Sequence, residues 1–308
     1  MRLRAYLLML FVVALWGSTF VQIKSALAHA TPAAFNLARM TLAFAVMAVG
    51  YHRYWRGIRL WQVGWGALVG LCLATGYQFQ TLGLARTTPS KAAFITGLLV
   101  VLVPLFSTIP WLRPPGARPP RWNAFLGVAL AFTGIILLTA PAQAASTTAA
   151  GLLPDLSSIN IGDVLTFGCA VAFAFHCIAL GHVSPRIAFQ PLALLQVGFS
   201  AVFMVISLPF IERPHIEWTP GVIAALGVAA VLATAAAFSI QTWAQSILPS
   251  THTALILTME PVCAWITSFL VLGERLGVRP ACGALLILAG IAITELVPQP
   301  HVPTAHEA

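Results

Sequence analysis

Residues 219–243 read Thr-Pro-Gly-Val-Ile-Ala-Ala-Leu-Gly-Val-Ala-Ala-Val-Leu-Ala-Thr-Ala-Ala-Ala-Phe-Ser-Ile-Gln-Thr-Trp, with no Asp, Glu, Lys or Arg among them. A helix rises 1.5 Å per residue, so about 20 apolar residues cross the roughly 30 Å hydrocarbon core of a bilayer. Apolar windows of that kind, bounded by charge, proline or glycine, recur along the chain at 5–28, 34–52, 63–83, 92–112, 123–140, 162–183, 187–210, 252–272 and 279–297, which with 219–243 makes ten. The expected fold is therefore an all-α integral membrane protein.

Composition agrees. Of 308 residues 59% are hydrophobic and 8% charged, and the mean hydropathy is +0.90, whereas a soluble domain carries roughly 25% charged residues. The net charge of +8 comes from arginines gathered in short connections such as Arg113-Pro114-Pro115-Gly116-Ala117-Arg118-Pro119-Pro120-Arg121. That placement reads as membrane topology and not as a nucleic-acid surface. The five cysteines, Cys72, Cys169, Cys177, Cys263 and Cys282, lie in apolar stretches without zinc-site or redox spacing and read as small packing residues.

Lys and Arg also suggest an orientation. With the N-terminus in the cytoplasm, Arg2, Arg4, Arg53, Arg56, Arg59, Arg113, Arg118, Arg121 and Arg186 fall on the cytoplasmic side, against Arg86, Lys91, Arg213, Arg275 and Arg279 on the other. Both termini are then expected inside, a bias carried by the first half of the chain. The opening Met1-Arg2-Leu3-Arg4 and Ala26-Leu27-Ala28 also fit a cleavable signal peptide. Trp16, Gln22 and Lys24 interrupt its apolar core, so the first segment is expected to be retained.

The two halves echo each other. Gln80-Thr81, Pro89-Ser90, Pro104, Gly127 and Gly134 are answered by Gln241-Thr242, Pro249-Ser250, Pro261, Gly283 and Gly290. Two tandem units of five spans must sit in opposite orientations, because five is odd; inverted repeats of this kind place a substrate path between them near the midplane. The expected units are residues 1–140 and 162–297, joined by an Ala/Ser/Thr-rich linker at 141–161 and followed by a disordered tail at 298–308.

Four motifs carry a family resemblance: Ala14-Leu15-Trp16-Gly17-Ser18-Thr19-Phe20; Lys91-Ala92-Ala93-Phe94-Ile95-Thr96-Gly97-Leu98; Gly162-Asp163; and Met259-Glu260-Pro261-Val262 with Leu272-Gly273-Glu274-Arg275. In order and in both halves, they resemble the EamA family of the drug/metabolite transporter superfamily. The resemblance implies a ten-helix carrier of the bacterial inner membrane, exporting small metabolites, amino acids or toxic compounds through a cavity shared by the halves, with no cofactor. It names no substrate and no oligomeric state.

Residues for such a path follow from what hydrocarbon makes costly. Glu260 is the sharpest, since a carboxylate there must be neutralised, paired or wetted; it suits proton coupling, or else it bonds backbone freed by Pro261 or pairs with a buried base and serves packing. Arg39, sharing a helix face with Asn36, can hold an anionic group or close a gate. Lys24, near a segment end, reads as snorkelling. Polar stripes at helical spacing (Ser18, Gln22 and Ser25; Tyr77, Gln80 and Thr81; Thr234, Gln241 and Gln245) either line a wet cavity or glue helices together. Trp16, Phe94, Trp243 and Trp265 can wall a site, although membrane aromatics also serve as packing and anchors. His176 can relay protons or sit as a hydrogen-bonded core residue. Gly66, Gly70, Ala74 and Gln78 mark a face of close helix packing, and Glu274-Arg275 read as a solvated turn.

The expected substrate path is thus Trp16, Ser18, Gln22, Arg39, Tyr77, Gln80, Phe94, His176, Gln241 and Glu260, with a small-molecule substrate, protons as a candidate coupling ion, the bilayer as surroundings and no nucleic-acid partner. The competing class is an intramembrane enzyme built on Ser18 and His176. Nothing fixes that pair's geometry, and no metal-ligand cluster or nucleotide-binding motif supports catalysis or ATP-driven pumping.

Overall fold

A computed structural model describes residues 2–115, 119–139, 160–245, 256–257 and 259–296. The expected tail, most of the expected linker, Arg118, Pro249, Ser250 and the Gln245 side chain lie outside the described residues. The described part is helical: α1 (Arg2–Ala26), α2 (Pro32–Gly50), α3 (Leu60–Leu84), α4 (Pro89–Gly97), α5 (Leu99–Phe106), α6 (Trp122–Thr139), α7 (Ile161–Val183), α8 (Phe189–Ile211), α9 (Pro220–Gly227), α10 (Ala237–Gln245), α11 (Met259–Leu272) and α12 (Val278–Leu296). A 3₁₀ turn, His52–Gly57, leads into α3, and a π-helical stretch, Val228–Ala236, joins α9 to α10.

Local chemistry sets the helix starts. Thr88 and Thr219 each accept a backbone N–H from three residues on, ahead of Pro89 and Pro220 at the first helical position, where proline's missing N–H costs nothing. Asn160 caps α7 by accepting from Gly162 N at 2.7 Å. Glu212, at the end of α8, reaches across to α2 and accepts from Ala33 N and Ala34 N at 2.8 and 3.0 Å, where the positive end of a helix dipole favours a carboxylate.

Six of the expected spans are long and apolar enough to cross a bilayer: Leu3–Ala26, Pro32–Gly50, Pro89–Phe106, Ile161–Val183, Phe189–Ile211 and Pro220–Ala244. The apolar helices in α6, α11 and α12 are shorter. α3 is 25 residues long but carries Gln62, Gln78 and Gln80 among its glycines, which dilutes its hydropathy. The fourth span ends at Phe106, short of the expected 112: Ser107 and Thr108 turn their hydroxyls onto the Val103 and Leu105 carbonyls, and Pro110 disfavours helix at the residue before it.

The packing has an exchange symmetry. α6 lies along α12 and α2 along α8. α3 packs on α7 and α8, while the stretch 220–245 packs on α1 and α2; α1 lies on α11 as α4 and α5 lie on α7. Swapping the halves maps each pairing onto another. The two pairs of echoing glycines also meet in space, crosswise: a Cβ on Gly134 would lie 2.5 Å from the Gly283 carbonyl, and one on Gly127 would strike Thr294 and the Gly290 carbonyl. Bare backbone on both helices lets them approach closely, where lipid supplies no hydrophobic drive and packing must hold the pair.

Candidate functional site

Between the halves lies a cavity that opens to the outside, with about 720 Å³ of empty space when its open mouth is counted. Of the expected path residues, Trp16, Arg39, Tyr77, Gln80, His176, Gln241 and Glu260 line it. Ser18, Gln22 and Phe94 do not. Ser18 donates to the Leu15 carbonyl of its own helix at 2.8 Å, Gln22 lies off the lining, and Phe94 is buried in the apolar cluster with Ile95 and Leu98. A hydroxyl one turn from its own carbonyl finds a partner without a cavity, so helical spacing alone misplaced Ser18. Ser25 likewise bonds the Val21 carbonyl. Trp243 packs beside the Met9 cluster, and Trp265 is an exposed side chain on α11.

The remaining lining was not anticipated: Thr19 and Phe20 from α1, Thr96 and Gly97 from α4, Leu99 and Val100 from α5, Phe173 and Cys177 from α7, Phe238 from α10, and Leu257. Apolar residues of a membrane span look alike whether they face a cavity, a neighbour or lipid. Only Thr19, Phe20, Thr96 and Gly97, inside motifs already singled out, carried a signal.

Arg39 is 1% exposed on α2. Its Nε donates to Thr234 Oγ1 at 2.8 Å, and Nη2 donates to the Tyr77 hydroxyl at 3.1 Å and the Ala233 carbonyl at 3.5 Å. The guanidinium carbon lies 4.2 Å from the centre of the Tyr77 ring, a cation–π contact that is stronger out of water. The π-helical stretch makes this cradle. Thr234 donates to the Ala229 carbonyl five residues back at 2.7 Å, and the Ala233 carbonyl takes the Trp16 indole N–H at 2.8 Å as well as Arg39. π-bulges recur at functional sites because they turn backbone groups away from the helix axis.

Glu260, in the first turn of α11, is half-buried at the cavity and makes neither ion pair nor hydrogen bond to any described residue. It therefore does not support backbone freed by Pro261. Pro261 instead packs against Gly97, where a Cβ would come within 2.9 Å of the ring. His176 is buried, hydrogen-bonded through Nε2 to Gln196 Oε1 at 2.8 Å, and shares the lining with Phe238 and Phe173. Gln241, 6% exposed, has no donor to its Oε1 among the described residues. Asn36 lies behind the cavity, donating to the Tyr77 carbonyl and Gln78 Oε1 and accepting from Thr81.

At one end of the bundle a second polar group joins α4 to α7 and α11. Lys91 Nζ lies 3.1 Å from Asp163 Oδ2, and Thr87 donates to Asp163 Oδ1 at 2.5 Å. Glu274 accepts from the Ser90 hydroxyl at 2.8 Å and from Ser268, so it is a joint between α4 and α11 and not a solvated turn. Lys24 does not snorkel: its Nζ donates to the Leu84, Ala85 and Thr87 carbonyls at 2.8, 3.1 and 2.9 Å, closing the C-terminus of α3 where a cation complements the dipole. Among the described residues no group of His, Cys, Asp and Glu is arranged to hold a metal.

A helical membrane protein with a mixed polar and aromatic cavity between two halves has the form of a carrier. The comparisons with known proteins agree: the model of the EamA-like transporter family matches residues 3–140 and 160–296, and the chain belongs to that family. An uncharacterized transporter of Archaeoglobus fulgidus is 34% identical over 297 residues, covering 96% of this chain and 87% of its own. The uncharacterized transporter YvbV of Bacillus subtilis is 25% identical over 301 residues, covering 95% of this chain and 92% of its own. A solved structure, described only as the crystal structure of a protein, superposes with a TM-score of 0.63 at 19% identity, over 96% of this chain and 98% of that one; it shows a shared fold.

Proposed function

We propose that this protein is a secondary transporter that exports small metabolites, amino acids or toxic compounds across a cell inner membrane by alternating access, with both termini cytoplasmic. The reading takes ten transmembrane helices as two inverted five-helix repeats, 1–140 and 162–297, supported by the exchange-symmetric packing and by the paired glycines of α6 and α12. The observation that carries it is the cavity itself: both halves line it, and it holds Arg39 and Glu260 without an ion pair between them. Charged side chains kept at such cost inside a membrane protein serve a solute or ion path. The polar joint of Lys91, Asp163, Ser90 and Glu274 closes one end, as a carrier open to one side at a time requires.

Coupling to protons is assigned to Glu260. A carboxylate with no partner among the described residues, in a cavity of low dielectric, can exist charged in one conformation and neutral in the other, which biases the equilibrium between them. Catalysis on Ser18 and His176 is disfavoured, because each is committed to a different hydrogen bond and Ser18 stands off the cavity. A resistance and efflux screen of an overexpressing strain against amino acids, their toxic analogues and cationic drugs tests export. With a solute in hand, transport into vesicles across a pH gradient tests coupling: Glu260→Gln reaches the membrane and loses the pH response, whereas an unchanged response removes the coupling role.

A further inference from the structure

Within that cavity the donors of Arg39 are unevenly used. Nε and Nη2 are committed to Thr234, Tyr77 and Ala233, but Nη1 donates to no described residue. No carboxylate among the described residues pairs with the guanidinium. A guanidinium held in place through Nε and Nη2, with the N–H groups of Nη1 left open, is a preorganised charged donor for an anion. Packing alone does not require the charge, since a neutral side chain of similar length would fill the same space at lower cost.

The rest of the lining limits what that anion can be. Arg39 is the one Lys or Arg among the lining residues, and Glu260 stands in the same cavity without a cation of its own. A dianion such as a phosphate monoester would leave excess negative charge facing Glu260 in a low-dielectric space. A monoanion balances Arg39 alone. Trp16, Phe173 and Phe238 give the remainder of the wall an aromatic surface that suits an apolar body. Gln241 adds an acceptor that meets no donor among the described residues, which an N–H on the solute can fill.

We infer that Arg39 is the specificity-determining residue of the cavity, and that the solute carries one carboxylate, bound at Nη1, and an apolar or aromatic body. The assignment rests on the transporter reading above. Simple aryl carboxylic acids and amino acids share this chemistry, and Gln241 with Glu260 separates them by offering a place for an ammonium group.

Calorimetric titration of the purified full-length protein with three matched probes tests it: 3-phenylpropionate, L-phenylalanine and phenethylamine. Both acids bind, the amine binds at least roughly 10-fold more weakly, and Arg39→Gln weakens the acids by roughly 10- to 100-fold, the range of a lost charge-assisted hydrogen bond. Either ranking of the two acids supports the assignment, and the ranking tells whether the ammonium is held. Should Arg39→Gln not fold, Arg39→Lys keeps the charge but loses the fork, and a drop in acid affinity in that variant serves instead. Tight binding of the amine, binding of none of the three, or undiminished acid affinity in the Arg39 variants overturns it. Counterflow of labelled solute in proteoliposomes separates the two readings: acids that bind without being moved refute transport and leave the Arg39 assignment standing, whereas a carrier that moves the amine in preference refutes Arg39.

Discussion

The glycine contact between α6 and α12 offers a quantitative test. In Gly134→Ala the new Cβ meets the Gly283 carbonyl at 2.5 Å, Ile287 Cγ1 at 2.8 Å and Ile287 N at 2.9 Å. Two of the three are backbone atoms that cannot rotate away, so the cost falls at the upper end of the roughly 1–3 kcal/mol range for overpacking. Alanine returns about 1 kcal/mol of helix propensity, which leaves a net loss of about 2 kcal/mol. Gly64→Ala is the control, because on α3 its Cβ meets nothing within 4 Å; it should gain up to about 1 kcal/mol. The two variants therefore differ by about 3 kcal/mol, or roughly 6 °C in unfolding midpoint at about 2 °C per kcal/mol. Thermal unfolding of the detergent-solubilised protein, followed by fluorescence, measures the difference. If Gly134→Ala melts with or above Gly64→Ala, the helices are not held by bare backbone contact and the account of their packing is wrong.

Two further perturbations address the closed end of the bundle and the loops beyond it. Asp163→Ala removes the partner of Lys91 and Thr87 together and should lower stability by roughly 1–3 kcal/mol, with Asp163→Asn intermediate; in a background keeping only Cys177, the substitution should also speed labelling of that cavity cysteine by an impermeant thiol reagent, and unchanged labelling would count against a closing role. Glu217 accepts from His29 at 2.7 Å and faces His215 at 3.6 Å, and these hydrogen bonds hold its carboxyl below the usual value of 4.5. A depressed carboxylate contributes while it is ionised, so the tie between the loops, which includes the bridge of Ala30 to Ile216, is complete above pH 4.5 and is lost as pH falls through the lowered value. Amide exchange at Thr31 and Glu217 should rise over that acidic window in the parent and show no such step in Glu217→Gln.

Much of this protein could be read without coordinates, because a bilayer imposes simple rules on a chain. Long uncharged runs, Thr-Pro helix starts at Thr88-Pro89 and Thr219-Pro220, and the rarity of buried charge each have one dominant physical cause, and each shows in the letters. Arg39 and Glu260 stood out for the same reason. Their being brought to one cavity, by contrast, depends on how helices from opposite halves rotate against each other, and hydrophobic periodicity is weak in spans that are apolar on all sides. That is why Ser18, Gln22 and Phe94 were expected on the path yet do not line the cavity, and why Phe173, Cys177 and Phe238 went unseen. Lys24 and Glu274 were misjudged because their partners are backbone carbonyls and hydroxyls far off in the chain. The π-helical turn under Arg39 had no signature either, since an alanine-rich run reads as ordinary α-helix and only Arg39 and Trp16, arriving from other helices, give its displaced Ala233 carbonyl and Thr234 hydroxyl something to bind. Sequence determined what had to lie in the membrane and which groups were too costly to be there without a purpose; tertiary packing alone decided which of them face one another.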